Sequence, residues 1–239
     1  MKLLLTIIAV ALPVLGLLHY IYSHDKIKPE PVRVLFLTFL VGIAGGIVSF
    51  FIGRYIGTVD IYSTHPYNAV DYVSLTLLEA IPDECLKFLA LYLAIRPNSF
   101  FDEFVDGIVY AAYISMGFVF AENVIHLSFY TEYWYETAVY RSYFILPGSS
   151  ACGILMGYFY SRIHFKPSAR LVHWMLVLGV PILCHALCNT IVLLYDRVDG
   201  NSLIFGYPLM FGLMGCTLAI LSFVHHLIDK QLERDLKQK

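Results

Sequence analysis

The sequence predicts an all-α fold, a polytopic membrane helix bundle with about seven transmembrane helices. Of its 239 residues 59% are hydrophobic and only 14% charged, against about 25% charged in a typical soluble domain. Mean hydropathy is +0.69, and apolar runs of roughly 20 residues, the length that crosses a bilayer core, recur along the chain. This composition excludes a disordered chain, and a net charge of -2 excludes a strongly basic nucleic-acid binder. The expected surroundings are a lipid bilayer with no nucleic-acid partner, and residues 1–239 read as one integral-membrane domain.

Seven spans follow in order, at about 3–22, 34–56, 72–95, 104–130, 142–161, 171–195 and 203–228. The first follows Met1 and Lys2; its apolar run is long and no clear small-residue cleavage site follows, so it reads as a retained helix and not a leader. The second is an almost unbroken apolar run after Lys26, Lys28 and Arg33. The third carries Glu79, Asp83, Glu84 and Lys87 around Pro82. The fourth begins near Asp106 and Gly107 and is rich in small residues, Ala111, Ala112, Ser115 and Gly117, which permit close helix approach. Ser149 and Ser150 mark the fifth, Pro181, His185 and Asn189 the sixth. The seventh leads into a short charged tail from about 229 to which no chemistry is assigned.

The basic residues orient these spans. Eleven Lys and Arg side chains join one face (Lys26, Lys28, Arg33, Arg96, Arg162, Lys166, Arg170, Lys230, Arg234, Lys237 and Lys239), and four the other (Lys2, Arg54, Arg141 and Arg197). The positive-inside rule then places the amino terminus outside and the carboxyl terminus in the cytoplasm. Tyr130, Tyr133, Trp134 and Tyr135 crowd one outer loop, as an interfacial aromatic belt would. Cys85, Cys152, Cys184, Cys188 and Cys216 all sit in apolar stretches without a CxxC pattern, and read as packing residues. No internal repeat of the kind found in many transporters is visible.

Ionisable groups inside the spans carry the functional signal, since each costs about 2.5–3.5 kcal/mol at a helix centre on insertion scales. Asp83 and Lys87 are four residues apart and can form an intrahelical ion pair, whereas Glu84 meets Phe88 at that spacing. Pro82 deprives the preceding turn of a hydrogen bond and places a kink beside the acidic pair. Adjacent carboxylates can divide labour, one as charged base or ligand and the other as neutral acid. The plainer reading is an ion-paired contact that locks the bundle.

Glu122 and His126 share a helix face, as two ligands or a hydrogen-bonded pair would, and so do His185 and Asn189. A membrane-embedded imidazole is a metal ligand, a general acid or base, or a satisfied packing group. Asp106 with Gly107 is either a helix-start feature or part of a site. With the orientation above, Glu84 lies near the midplane, Glu122 and His185 slightly outward, and Ser149 and Ser150 in the outer half of their span. They form one polar layer, and such a layer needs a cavity that water enters from outside.

These residues resemble the PrsW-type intramembrane metalloproteases, related to the CAAX-processing and bacteriocin-processing membrane proteases. The likeness runs from PEPVRVLFLTFLVG through DECLK and FVDGIVYAAYISMGFVFAEN to GILMGYFY and HALCN, with the fourth-span stretch the most specific. The resemblance puts the family's EExxK motif on Asp83, Glu84 and Lys87, its glutamate-asparagine pair on Glu122 and Asn123, and its last histidine on His185. It implies an acidic pair that activates water, and histidine and glutamate groups that bind a divalent metal, zinc first among them, or the transition state. The expected substrate is a membrane-anchored protein, with a regulatory anti-sigma factor as one class.

Two departures bear on that expectation. Asp83 stands where the family has Glu, shortening the reach by one methylene. Ser149 stands where the family's fifth span usually carries His. Either His126 replaces that histidine in a set with Glu122 and His185, or the site binds metal weakly, or proteolysis is lost and the chain only binds membrane partners. Catalytic roles therefore fall to Asp83, Glu84 and His185, and supporting roles to Lys87, Asp106, Asn123, Ser149 and Asn189. An ion-coupled transporter would also explain buried carboxylates, but lacks a visible repeat.

Overall fold

The structure, a computed structural model, describes residues 2–24, 28–56, 69–96, 100–129, 141–165 and 170–197, with isolated positions between 134 and 138 and between 215 and 233. Six helices run through them: α1 Lys2–His24, α2 Val32–Ile56, α3 Ala69–Ile95, α4 Phe104–Phe129, α5 Leu146–Phe165 and α6 Arg170–Arg197. Each falls on a predicted span, and the described residues contain no strand. Four stretches are long and apolar enough to cross a membrane: Leu4–Ser23, Val32–Tyr55, Phe104–Phe129 and Leu171–Ile191.

Thus four helices, where seven spans are predicted, meet both conditions among the described residues. The predicted seventh span, 203–228, and the tail from 229 lie outside the described residues except for isolated positions. Helices α3 and α5, of 27 and 20 residues, are long enough at about 1.5 Å per residue to cross some 30 Å. They are more polar because their polar side chains face other helices. The fifth span also starts differently: Arg141–Ile145 forms a π turn before α5. Pro147, at the junction, has no N–H for the carbonyl four residues back, so that helical hydrogen bond is missing where the π turn meets α5.

Helix α4 is the centre of the bundle, buried along nearly its whole length and packed against α1, α2, α3 and α5. Lipid offers little hydrophobic drive for helix association, so close backbone packing must hold such a bundle. Gly42 and Gly46 of α2 form that contact: a Cβ at Gly42 would strike the Ile114 carbonyl, and one at Gly117 would strike the Phe39 carbonyl. On the opposite side of α4, Gly107 and Gly157 meet backbone to backbone. Helix α6 packs against α5 and α3.

Asp106 belongs to the start of α4. Its Oδ2 accepts the backbone N–H groups of Asp102 at 2.9 Å and Glu103 at 2.6 Å, satisfying donors that a helix start leaves open. Trp134 points inward, donating to Thr6 Oγ1 at 2.9 Å, while the three predicted belt tyrosines lie outside the described residues. Cys152 is buried as expected, whereas Cys85 is exposed on α3.

Candidate active site

Two adjacent carboxyls on α3 face different parts of the bundle. Successive helical residues are turned by about 100°, and this turn sends Asp83 toward α2 and Glu84 toward α5 and α6. Asp83 accepts a hydrogen bond from Ser49 of α2. Glu84 is completely buried, and its Oε1 accepts from Lys87 Nζ at 2.8 Å and lies 2.9 Å from His185 Nδ1 of α6.

The expected Asp83–Lys87 pair is therefore replaced by Glu84–Lys87, one turn apart at three residues. The neighbours explain the change. Lys87 Nζ also donates to Ser149 Oγ of α5 at 3.2 Å and lies 4.8 Å from the Phe118 ring centroid of α4. Asp83 has the Ser49 hydroxyl on the other side. A buried ammonium with a carboxylate, a hydroxyl and an aromatic face around it recovers much of what its desolvation costs.

Side chains of four helices thus surround the Glu84–Lys87 pair. Glu84 Oε1 is fixed by two partners, whereas Oε2, equally buried, has no hydrogen-bond partner among the described residues. That oxygen is available to a proton donor brought into the site. Toward the amino end of α3, Asn189 Nδ2 donates to Glu79 Oε2 at 2.8 Å, and the hydroxyls of Thr76 and Thr190 lie 3.1 Å apart.

On the α2 side a cavity of about 50 Å³ is lined by Ser49, Glu79, Pro82, Asp83, Glu122 and His126, among others. It has room for one or two water molecules. Leu78 is also in its wall, and its carbonyl is the one Pro82 leaves without a helical N–H. Asp83, in the wall of this cavity, is the residue next to Glu84 in the chain, so the cavity and the Glu84 pocket lie on adjacent sides of α3.

Not every predicted site residue joins the cavity or the Glu84 pocket in the expected way. Asn123 is turned to Arg141, whose Nε donates to Asn123 Oδ1. Asp106 is at the far end of α4, capping the helix start. Ser149 does stand in the site, at Lys87. His126 lies with Glu122 on the cavity beside Asp83, while His185 is turned onto Glu84. As placed, Glu122, His126 and His185 do not form a three-donor set, and among the described residues no three His, Cys, Asp or Glu side chains converge to hold an ion.

Sequence reasoning missed Ser49 and Arg141. Ser49 had a signal, as a hydroxyl in the otherwise apolar stretch around Gly45 and Phe50. Arg141 reads in sequence only as an outer-face charge; its bond to Asn123 needs the packing of the fifth span on α4.

Residues 30–217 match the family described as PrsW family intramembrane metalloprotease. The chain belongs to the PrsW family. It is 30% identical over 174 residues to Protease PrsW of Bacillus subtilis (strain 168), covering 72% of this chain and 76% of that one. Protease PrsW of Clostridioides difficile (strain 630) is 27% identical over 200 residues, 82% of each chain. Protease PrsW of Geobacillus kaustophilus (strain HTA426) is 27% identical over 185 residues, 77% of this chain and 78% of that one. No solved structure matches the chain. As a PrsW-family chain with four membrane-length apolar helices among its described residues, it is an integral-membrane protein of a protease family.

Proposed function

We propose that this chain is an endopeptidase that hydrolyses a peptide bond in a membrane-anchored protein near the outer face of a bacterial cell membrane, with Glu84 as general base. The observation that carries this reading is the asymmetry of Glu84. One oxygen is held by Lys87 and His185, and the other is buried with no hydrogen-bond partner among the described residues.

In this mechanism Glu84 Oε2 takes a proton from water as the water oxygen attacks the peptide carbonyl. The tetrahedral intermediate gains negative charge on the former carbonyl oxygen, and His185 is the nearby group to donate to it. Collapse breaks the C–N bond, and the proton held by Glu84 passes to the departing amine. Lys87 keeps Glu84 ionised and oriented between turnovers, and Ser149 helps to hold Lys87. The divalent metal implied by the resemblance enters no step, because the donors as placed do not fit one. The eleven-to-four bias of basic residues supports an amino terminus outside and a carboxyl terminus in the cytoplasm. An anti-sigma-type regulatory protein is one substrate class in keeping with the family.

A second reading, a non-catalytic relative that binds membrane proteins, rests on Ser149 standing where the family resemblance leads one to expect His. Purified protein reconstituted with a polypeptide bearing one transmembrane segment and an extended outer flank, in water enriched in oxygen-18, separates the two. Cleavage with one labelled oxygen in the new carboxyl terminus is the expected result. Capture of the polypeptide without cleavage favours the binding reading, and solute flux across sealed vesicles without cleavage favours transport.

A further inference from the structure

A completely buried general base raises the question of how a polypeptide reaches it. Helix α6 is held in two different ways along its length. In its amino-terminal half, the Trp174 ring packs edge-on to Phe88 of α3 at 5.9 Å between centroids, and His173 lies against Phe159 of α5. In its carboxyl-terminal half it meets α3 through a ladder of polar side chains: His185 with Glu84, Asn189 with Glu79, and Thr190 with Thr76.

Between the two halves stands Pro181, which removes a helical hydrogen bond and is a common cause of helix bending. Gly179 beside it has open space where a Cβ would lie. By contrast, α4 is locked to α2 and α5 by glycines in backbone contact. The α3–α6 seam is closed by side-chain hydrogen bonds that polar groups of an incoming chain could replace.

We propose that the seam between α3 and α6 is the access route for substrate, and that the half of α6 after Pro181 swings from α3 to admit an extended stretch of polypeptide. The inference rests on the proteolytic reading of Glu84. From Thr76 to Glu84 the seam is about 12 Å long at 1.5 Å per residue. Three to four residues of extended chain, at about 3.3 Å each, match that length. An intact helix about 10 Å across does not fit between two packed helices. The occupant is therefore an unwound or juxtamembrane segment whose main-chain N–H and C=O groups take over partners such as Glu79 and Asn189.

Cys152 supplies a readout independent of cleavage. It is buried on α5 beneath α6, with Sγ 3.6 Å from the Pro181 carbonyl. The test uses full-length protein with the other four native cysteines replaced by alanine and carrying Thr76→Cys with Thr190→Cys, oxidised or reduced in vesicles. The sulfurs should cross-link; oxidation should slow both maleimide labelling of Cys152 and cleavage of the single-span polypeptide at least tenfold, and reduction should restore both. Thr76→Val with Thr190→Val, which removes the latch without changing side-chain size, should speed Cys152 labelling severalfold. Failure to cross-link, or a cross-linked protein in which Cys152 labels and substrate is cut at the reduced rate, overturns the seam as the route. If no form of the protein cleaves but labelling still follows the cross-link, the opening of the seam stands and the proteolytic reading of Glu84 fails.

Discussion

Lys87 is bonded to Glu84, three residues before it, and not to Asp83, four residues before it. The pair is almost fully buried, with Lys87 1% exposed and Glu84 0%. Removing one partner of such a pair strands a charge, at a cost of about 3–5 kcal/mol. Lys87→Met is thus expected to lower the thermal stability of the detergent-solubilised protein and to abolish cleavage, because Glu84 would take up a proton. Unfolding followed by circular dichroism together with a cleavage assay checks this; unchanged stability and activity would remove Lys87 from the network.

Asp83 faces Ser49 and the cavity, away from the Glu84 pocket. Asp83→Asn preserves its size and its acceptor oxygen, so its loss of cleavage rate should be at least tenfold smaller than that of Glu84→Gln. Ser49→Ala should cost about 1–3 kcal/mol of stability by leaving a buried carboxyl oxygen unmatched. Equal rate losses at Asp83 and Glu84 would mean that both carboxyls act on the reacting atoms.

Gly117 has no room for even a methyl group, since a Cβ there meets the Phe39 carbonyl. Gly117→Ala is expected to destabilise the protein by about 1–3 kcal/mol, the usual cost of overpacking. Gly16→Ala is the control, because nothing lies within 4 Å of a Cβ at that position. A Gly117→Ala protein as stable as the Gly16→Ala protein would contradict the close α2–α4 contact.

The placement of the candidate donors leads to a prediction about metal dependence. With Glu122 and His126 on the cavity and His185 on Glu84, chelator should leave the cleavage rate within about twofold, and His126→Ala should do the same. If chelation abolishes activity and added zinc restores it, these side chains must rearrange to build a metal centre. A Ser149→His protein that gains both zinc binding and activity would identify the missing ligand.

Much of this architecture is legible in the sequence because membrane helices announce themselves by length and apolarity. The helical spans, the small residues of α4 and the concentration of charge on α3 can all be read directly. Partner choice within the charged layer is less accessible. Helical spacing permits Lys87 to reach either Asp83 or Glu84, and only the positions of Ser49, Ser149 and Phe118 decide between them. The split of Asp83 and Glu84 between two sides of the bundle is visible as a 100° offset, but which neighbour lies on each side is not. Asn123 illustrates the same limit, since its bond to Arg141 depends on how the π turn before α5 approaches α4.

Glu84 is proposed as the base that activates water. Its most direct test is the initial rate at which purified, reconstituted wild-type and Glu84→Gln proteins cleave the same single-span polypeptide, with matched insertion and thermal stability. A neutral amide keeps the shape of the side chain but cannot accept water's proton, so the expected loss is about 10²- to 10⁴-fold. Cleavage by the Glu84→Gln protein at the wild-type rate would show that Glu84 is not the base.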